Sequence, residues 1–199
     1  MFCSMFFLSA CEKDKPTNSP AETVDIKLEK VIHYLPIDKF KQNSVAVFVN
    51  QDGDEKTLNI SITEDVAEKV IDGKPYKAER IRLQYSDPDN SHYTPDIVAS
   101  ANYTSAGVYN EYVSCTLYTS VHNGFLPQIT IDDNGEALFS GYYETYSILD
   151  KEFINVFASL VPPDLQNSFS KIYYTVEDGV IGFEGEKGII WVFKKFKKH

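Results

Sequence analysis

From residue 24 onward the chain is a succession of short runs in which apolar and polar residues alternate. Each run lies about ten residues from the next and is closed by a glycine or Asx turn. This pattern limits the fold more than any other feature, because a period of two puts one face of each run in a core and the other in water. Ser44 to Val49 (SVAVFV) is rich in β-branched residues and is stopped by Asn50-Gln51-Asp52-Gly53-Asp54. Leu58, Ile60 and Ile62 then alternate with Asn59, Ser61 and Thr63, so the two runs are expected to pair as a hairpin. Asn134-Gly135, between Ile129/Ile131 and Leu138, is the strongest short hairpin signal and suggests a type I′ turn, with positive φ at both central residues.

Other runs extend the pattern. Val24, Ile26 and Leu28 alternate with Asp25, Lys27 and Glu29, as in a strand, with one or two turns of helix as the competing reading. Glu64 to Ile71 fits either a short helix or a strand, and Asp72-Gly73 favours a strand that ends in a tight turn. Tyr76 to Tyr85 reads as a strand with one wet face, and Ser86 to Asn90 as a turn. Further strands are expected over 97–104, 111–119, 128–131 and 137–148, with Gly141 marking a bend or bulge in the last. Only Lys151 to Leu160 carries a helical stripe: Phe153, Val156, Phe157 and Leu160, with Asp150 as a cap and Pro162-Pro163 as a stop. Strands 171–174, 180–183 and 189–196 finish the chain. The expected class is mainly β, an antiparallel sandwich or open barrel with one short helix.

The N-terminus is different in kind. The apolar run Met1 to Leu8 leads into Leu8-Ser9-Ala10-Cys11 and then directly into Glu12-Lys13-Asp14-Lys15. This box resembles the signal of bacterial lipoproteins: an aliphatic residue, two small residues and a thiol. The resemblance implies that residues 1–10 are removed as a signal peptide and that Cys11 is the lipid attachment site. Residues 11–23, with Pro16 and Pro20 and no aromatic or branched aliphatic side chain before Val24, read as a tether. Residues 24–199 then form a single mainly-β domain. Glu12-Lys13-Asp14 also looks like the export tags of some Gram-negative surface lipoproteins, so the expected location is the cell envelope, at the outer membrane. No later segment approaches the twenty or so apolar residues of a spanning helix.

Composition narrows the chemistry. The net charge of −10 and pI near 4.8 argue against a phosphate-binding surface, so nucleic acid is not an expected partner. With Cys3 lost and Cys11 acylated, Cys115 has no disulfide partner and reads as a small buried hydrophobe in a strand. His33, His92, His122 and His199 are scattered without metal-ligand spacing. Asp52-Gly53-Asp54 and Asp87-Pro88-Asp89-Asn90 are explained by turn chemistry before calcium. No Gly-x-Ser-x-Gly or phosphate loop is present, and neither catalytic residues nor a cofactor or metal site is expected. A hydrolase would need carboxylates such as Glu79 and Asp87 to meet in space.

The last segment, Ile172-Tyr173-Tyr174 through Gly179-Val180-Ile181-Gly182-Phe183 to Gly188-Ile189-Ile190-Trp191, is similar to the closing motif of many uncharacterised bacterial lipoproteins. That resemblance implies an envelope protein and carries no chemistry. The remaining positive feature is the aromatic content, 13 Tyr, 13 Phe and one Trp. Adjacent strand tyrosines such as Tyr142-Tyr143 point to opposite faces. An exposed ring offers a flat apolar face with a hydroxyl. The functional expectation is a lipid-anchored, non-catalytic envelope protein that binds a glycan or protein partner through a face bearing Tyr142, Tyr146 and Tyr173. The alternative is a structural or assembly component of the envelope.

Overall fold

The computed structural model describes residues 22–40, 44–88, 93–103, 109–119, 126–138, 140–160, 171–185 and 188–198. The lipoprotein box, most of the tether, His92, His122, His199, Asp89-Asn90 and Pro162-Pro163 lie outside these residues. The strands are β1 (Val24–Ile26), β2 (Ser44–Asn50), β3 (Glu55–Ile71), β4 (Lys74–Ser86), β5 (Tyr93–Tyr103), β6 (Tyr109–Thr119) and β7 (Gln128–Asp132). They continue as β8 (Ala137–Leu138), β9 (Ser140–Ile148), β10 (Lys151–Ser159), β11 (Ile172–Thr175), β12 (Gly179–Glu184) and β13 (Ile190–Lys197).

One antiparallel sheet runs in the order β8-β7-β6-β5-β4-β3-β2-β13-β12-β11-β10-β9, with β1 added parallel to β4. It curls into a nearly closed barrel. Closure comes from a continuous piece of chain: β8 pairs with β7 at one end of the order, β9 pairs with β10 at the other, and only residue 139 separates them. The single long strand expected over 137–148 is thus two strands, shared between the two edges beside Gly141. β8 and β9 thus form the two edges of the sheet order, brought side by side in sequence where the barrel nearly closes.

The hairpins form where expected, with one change of turn type. Asp72 and Gly73 both have positive φ (51° and 77°), as a type I′ turn requires. At Asn134-Gly135 only Gly135 is left-handed (φ 82°), and the Gly135 N–H donates to the Asp132 carbonyl at 3.0 Å. This is a type I turn closed by a bulge, not type I′. The reason is Asp132: its Oδ1 accepts the N–H groups of Asn134 and Glu136 and holds the chain in the wider turn. Asn50 performs the same task at the first hairpin, accepting from Asp52 and Asp54.

The expected helix over 151–160 is strand β10. Asn155 is left-handed (φ 53°), which reverses the inside-outside alternation, so Phe153 and Val156, three residues apart, pack in the same cluster. A strand broken in this way imitates a helical stripe. Asp150 lies in the tight β9–β10 turn, and Leu160 is exposed. Ile32–Tyr34 is a 3₁₀ turn, and no α-helix occurs among the described residues.

The barrel interior is filled, not hollow, along its middle: Phe48, Leu58, Ile60, Leu83, Tyr85, Ile97, Ile129, Ile131, Tyr174 and Phe183 are all buried in one cluster. Each such side chain contributes about 1.5–3 kcal/mol by leaving water. Cys115 is among them, and burial raises its thiol pKa well above the usual value, which leaves it an inert hydrophobe. One end is plugged by residues 27–40, whose Leu28, Val31, Leu35 and Phe40 enter the same core. Three consecutive N–H groups of this plug, Glu29, Lys30 and Val31, donate to the buried Glu111 Oε2 at 3.0, 2.8 and 3.2 Å. Tyr174 also donates to the Tyr34 carbonyl, and Lys39 reaches Glu177 and Asp178 across the same end. Gly179 (φ 74°) sits where a Cβ would fall 2.8 Å from the Tyr85 hydroxyl and 2.9 Å from Phe40, so glycine is needed there twice over.

Candidate functional site

The sheet carries two kinds of outer face. Over β3–β6 it is polar and internally paired. Arg80 grips Asp65 with two bonds of 2.7 Å, and Arg82 grips the buried Asp96 at 2.6–2.9 Å. Gln128 Nε2 donates to Ser114 and Thr130 beside them. Over β10–β13 the outer face is apolar, and the chain covers it with the far half of its own β9–β10 hairpin.

That cover follows from local sequence. The left-handed Asn155 turns the hairpin so that Tyr146, Ile148 and Phe153 pack onto Tyr173, Ile181 and Val192 of the sheet behind. Ile181 is the extra residue of a β12 bulge, since Tyr173 pairs with Gly182 and Tyr174 with Val180. Gly182 leaves space that the Ile148 side chain fills. Lys151 Nζ donates to the Phe193 carbonyl at 2.8 Å and pins the hairpin end.

A tyrosine row crosses this cover. Tyr143 and Tyr146 ring centroids are 4.9 Å apart, and Tyr146 and Tyr173 are 5.2 Å apart. The Tyr143 ring lies over Gly141, where a Cβ would come within 2.9 Å of it, so this glycine is the seat of a ring. Tyr173 donates to Glu184 Oε1 at 2.7 Å. Burial, then the Glu184 bond, drives its phenol pKa far upward and keeps it protonated.

The three tyrosines expected to form the face are therefore not equivalent. Tyr146 and Tyr173 meet, but Tyr173 is only 3% exposed and supports the row from below. Tyr142 lies apart from that pair: its ring rests on Phe157, at 5.3 Å, and its hydroxyl donates to Asn155 Oδ1 at 2.8 Å, while half of it (51%) faces water. The sequence reading missed Tyr143, Leu149 and Ile154, exposed large apolar residues of the same hairpin, with Ile154 62% exposed. The signal of Ile154 was hidden because 151–160 read as a helix that would bury its apolar side, and of the pair Tyr142-Tyr143 only the first was placed on the face.

Other candidate groups are placed apart. Glu79 accepts the Leu28 N–H at 3.1 Å, whereas Asp87 pairs with Lys56 at 2.8 Å at the other end of β4. Eight residues of strand separate these carboxylates by roughly 26 Å. His33 is exposed on the 3₁₀ turn against Tyr34. Among the described residues no three His, Cys, Asp or Glu side chains converge as metal ligands would, and no helix is long and apolar enough to cross a membrane.

No family model matches the chain, and neither the curated proteins nor the solved structures contain a significant match. The site has to be understood from its own residues.

Proposed function

We propose that the chain is a lipid-anchored cell-envelope protein, held at Cys11 to a Gram-negative outer membrane, that binds a partner through its β9–β10 hairpin and catalyses no reaction. The observation that carries the reading is the unequal use of that hairpin. One set of side chains, Tyr146, Ile148 and Phe153, is spent on holding it to the barrel. A second set, Tyr142, Tyr143, Leu149 and Ile154, is held out in water on the same rigid element. Several large apolar groups exposed on one short hairpin mark an interaction site more often than singly scattered ones do.

Branched aliphatics beside the tyrosines favour an envelope protein over a glycan, since sugars stack on flat rings and gain little from Ile or Leu. The test is capture from envelope extract with the full-length protein and with a Tyr143→Ser/Ile154→Ser double variant, alongside a glycan array. One partner protein, recovered at least about tenfold less by the variant, is the expected result. Equal recovery, or a glycan hit insensitive to both substitutions, contradicts it. Fatty-acid labelling that persists in Cys11→Ala removes the anchor from the proposal.

A further inference from the structure

We propose that the tip of the β3–β4 hairpin is a second membrane contact, resting on an anionic phospholipid surface beside the lipid anchor; the inference rests on the reading of Cys11 as acylated. β3 continues from Ile60, its last pairing with β2, to Ile71, and β4 continues outward from Arg80, its last pairing with β5. The two strands thus form an arm whose outer β4 residues no longer pair with β5 and whose last three, 74–76, reach about 10 Å past its end at Tyr103. On one face of this arm Val66 and Val70 are 52% and 72% exposed, the second the most exposed of the large apolar side chains among the described residues.

Three observations choose the occupant. First, the anchor arrives here: β1 pairs Val24 with Tyr76 of the arm, and only twelve residues lie between Val24 and Cys11. That length spans at most about 45 Å when fully extended and about 20 Å as a coil, so the arm cannot be far from the bilayer that holds the acylated cysteine. Second, the charge of the outermost turn is inverted, although the arm behind it carries Glu64, Asp65, Glu68 and Glu79. In a chain of net charge −10, residues 69–77 carry Lys69, Lys74 and Lys77 against a single Asp72. Lys77 is paired with Glu68 at 3.2 Å, and Lys69 and Lys74 have no ion pair among the described residues. At the tip, the exposed Val70 on one face of the two-stranded ribbon, with Lys69 and Lys74 on the other, supplies the apolar and the cationic part of an interfacial contact met end-on. Third, β13 ends at the same end of the barrel, with Phe196 against Phe40 of the plug, and brings exposed Lys197 and Lys198 there.

The experiment uses the full-length lipidated protein on vesicles of phosphatidylethanolamine with one quarter phosphatidylglycerol. An environment-sensitive dye is placed at Val70→Cys or, for comparison, at Ile154→Cys, in a background where Cys115 is replaced by Ala. The expected result is a blue-shifted Val70 dye that lipid-borne quenchers extinguish, an Ile154 dye that remains aqueous, and loss of the Val70 shift in Lys69→Glu/Lys74→Glu. Protein that floats with the vesicles while its Val70 dye stays aqueous overturns the contact and leaves the anchor standing. Protein that does not float overturns the anchor and the contact together. A Val70 shift that survives replacement of phosphatidylglycerol by phosphatidylcholine overturns the anionic part.

Discussion

The two outer walls of this barrel meet water by opposite means. Over β3–β7 the outward face carries Arg, Asp, Ser, Thr and Gln side chains whose charges and hydroxyls answer one another within the wall, with Tyr118 exposed beside them and Val66 and Val70 farther out on the β3–β4 arm. Over β10–β13 the outward residues are Tyr173, Ile181 and Val192, and they are kept dry by a hairpin folded across them. A wall that satisfies itself has no need of a partner. A wall that borrows a cover must expose the back of that cover, and here the back carries Tyr143, Leu149 and Ile154.

The most damaging way to break the contrast is to hollow out the covered wall. Tyr173→Ala removes a buried ring that touches Tyr146 and bonds Glu184, and is expected to cost about 3–5 kcal/mol by urea denaturation. Tyr173→Phe, which keeps the ring, is expected to cost about 1 kcal/mol, so the gap between the two variants measures packing against hydrogen bonding. Next comes the plug shared by both walls. Glu111→Ala leaves the N–H groups of residues 29–31 without their acceptor and is expected to cost about 3 kcal/mol, with faster amide exchange confined at first to residues 27–40.

The twist that lays the cover down is a smaller effect and a sharper one. Asn155→Ala is expected to cost about 1–2 kcal/mol, because alanine resists positive φ and the Tyr142 bond is lost. Asn155→Gly is expected to cost less than alanine, and equal costs would mean that the left-handed backbone is not what places the hairpin.

The polar wall yields the smallest effects. Asp96→Ala strands only Arg82, whose head turns to water, so about 1–2 kcal/mol is expected. The Arg80 hydrogen bond holds the Asp65 carboxyl below its usual range. Its contribution is therefore complete above the ordinary aspartate pKa and disappears as pH falls through the lowered one. Asp65→Asn is expected to lose that contribution at neutral pH and to converge with the parent protein as pH falls through the lowered pKa, and a stability difference that grows toward acid would contradict the assignment.

Legibility followed the range of the interaction. The hairpins at 50–54 and 72–73 were readable because Asx and Gly set a turn within five residues. The turn at Asn134-Gly135 was readable as a hairpin but not in type, since Asp132, two residues earlier, decides it. β10 was misread because one left-handed asparagine gives a strand the apolar spacing of a helix. The near-closure of the barrel between β8 and β9 and the plug were invisible, as neither leaves a period. Leu28, Val31, Leu35 and Phe40 follow no two-residue alternation, and their acceptor Glu111 lies some eighty positions away. Of the tyrosine face, the pairing of Tyr146 with Tyr173 could be guessed, but which ring is exposed depended on the fold-over of the hairpin.

The central claim is that the back of the β9–β10 cover, and not the self-satisfied wall, meets a partner. The direct measurement is photo-crosslinking in intact envelopes, with a photoreactive residue at Ile154 or Tyr143 on the cover and at Thr116 or Gln128 on the polar wall. The account predicts a discrete adduct from both cover positions and none from the polar pair. Adducts from Thr116 or Gln128 with none from Ile154 and Tyr143 would contradict it.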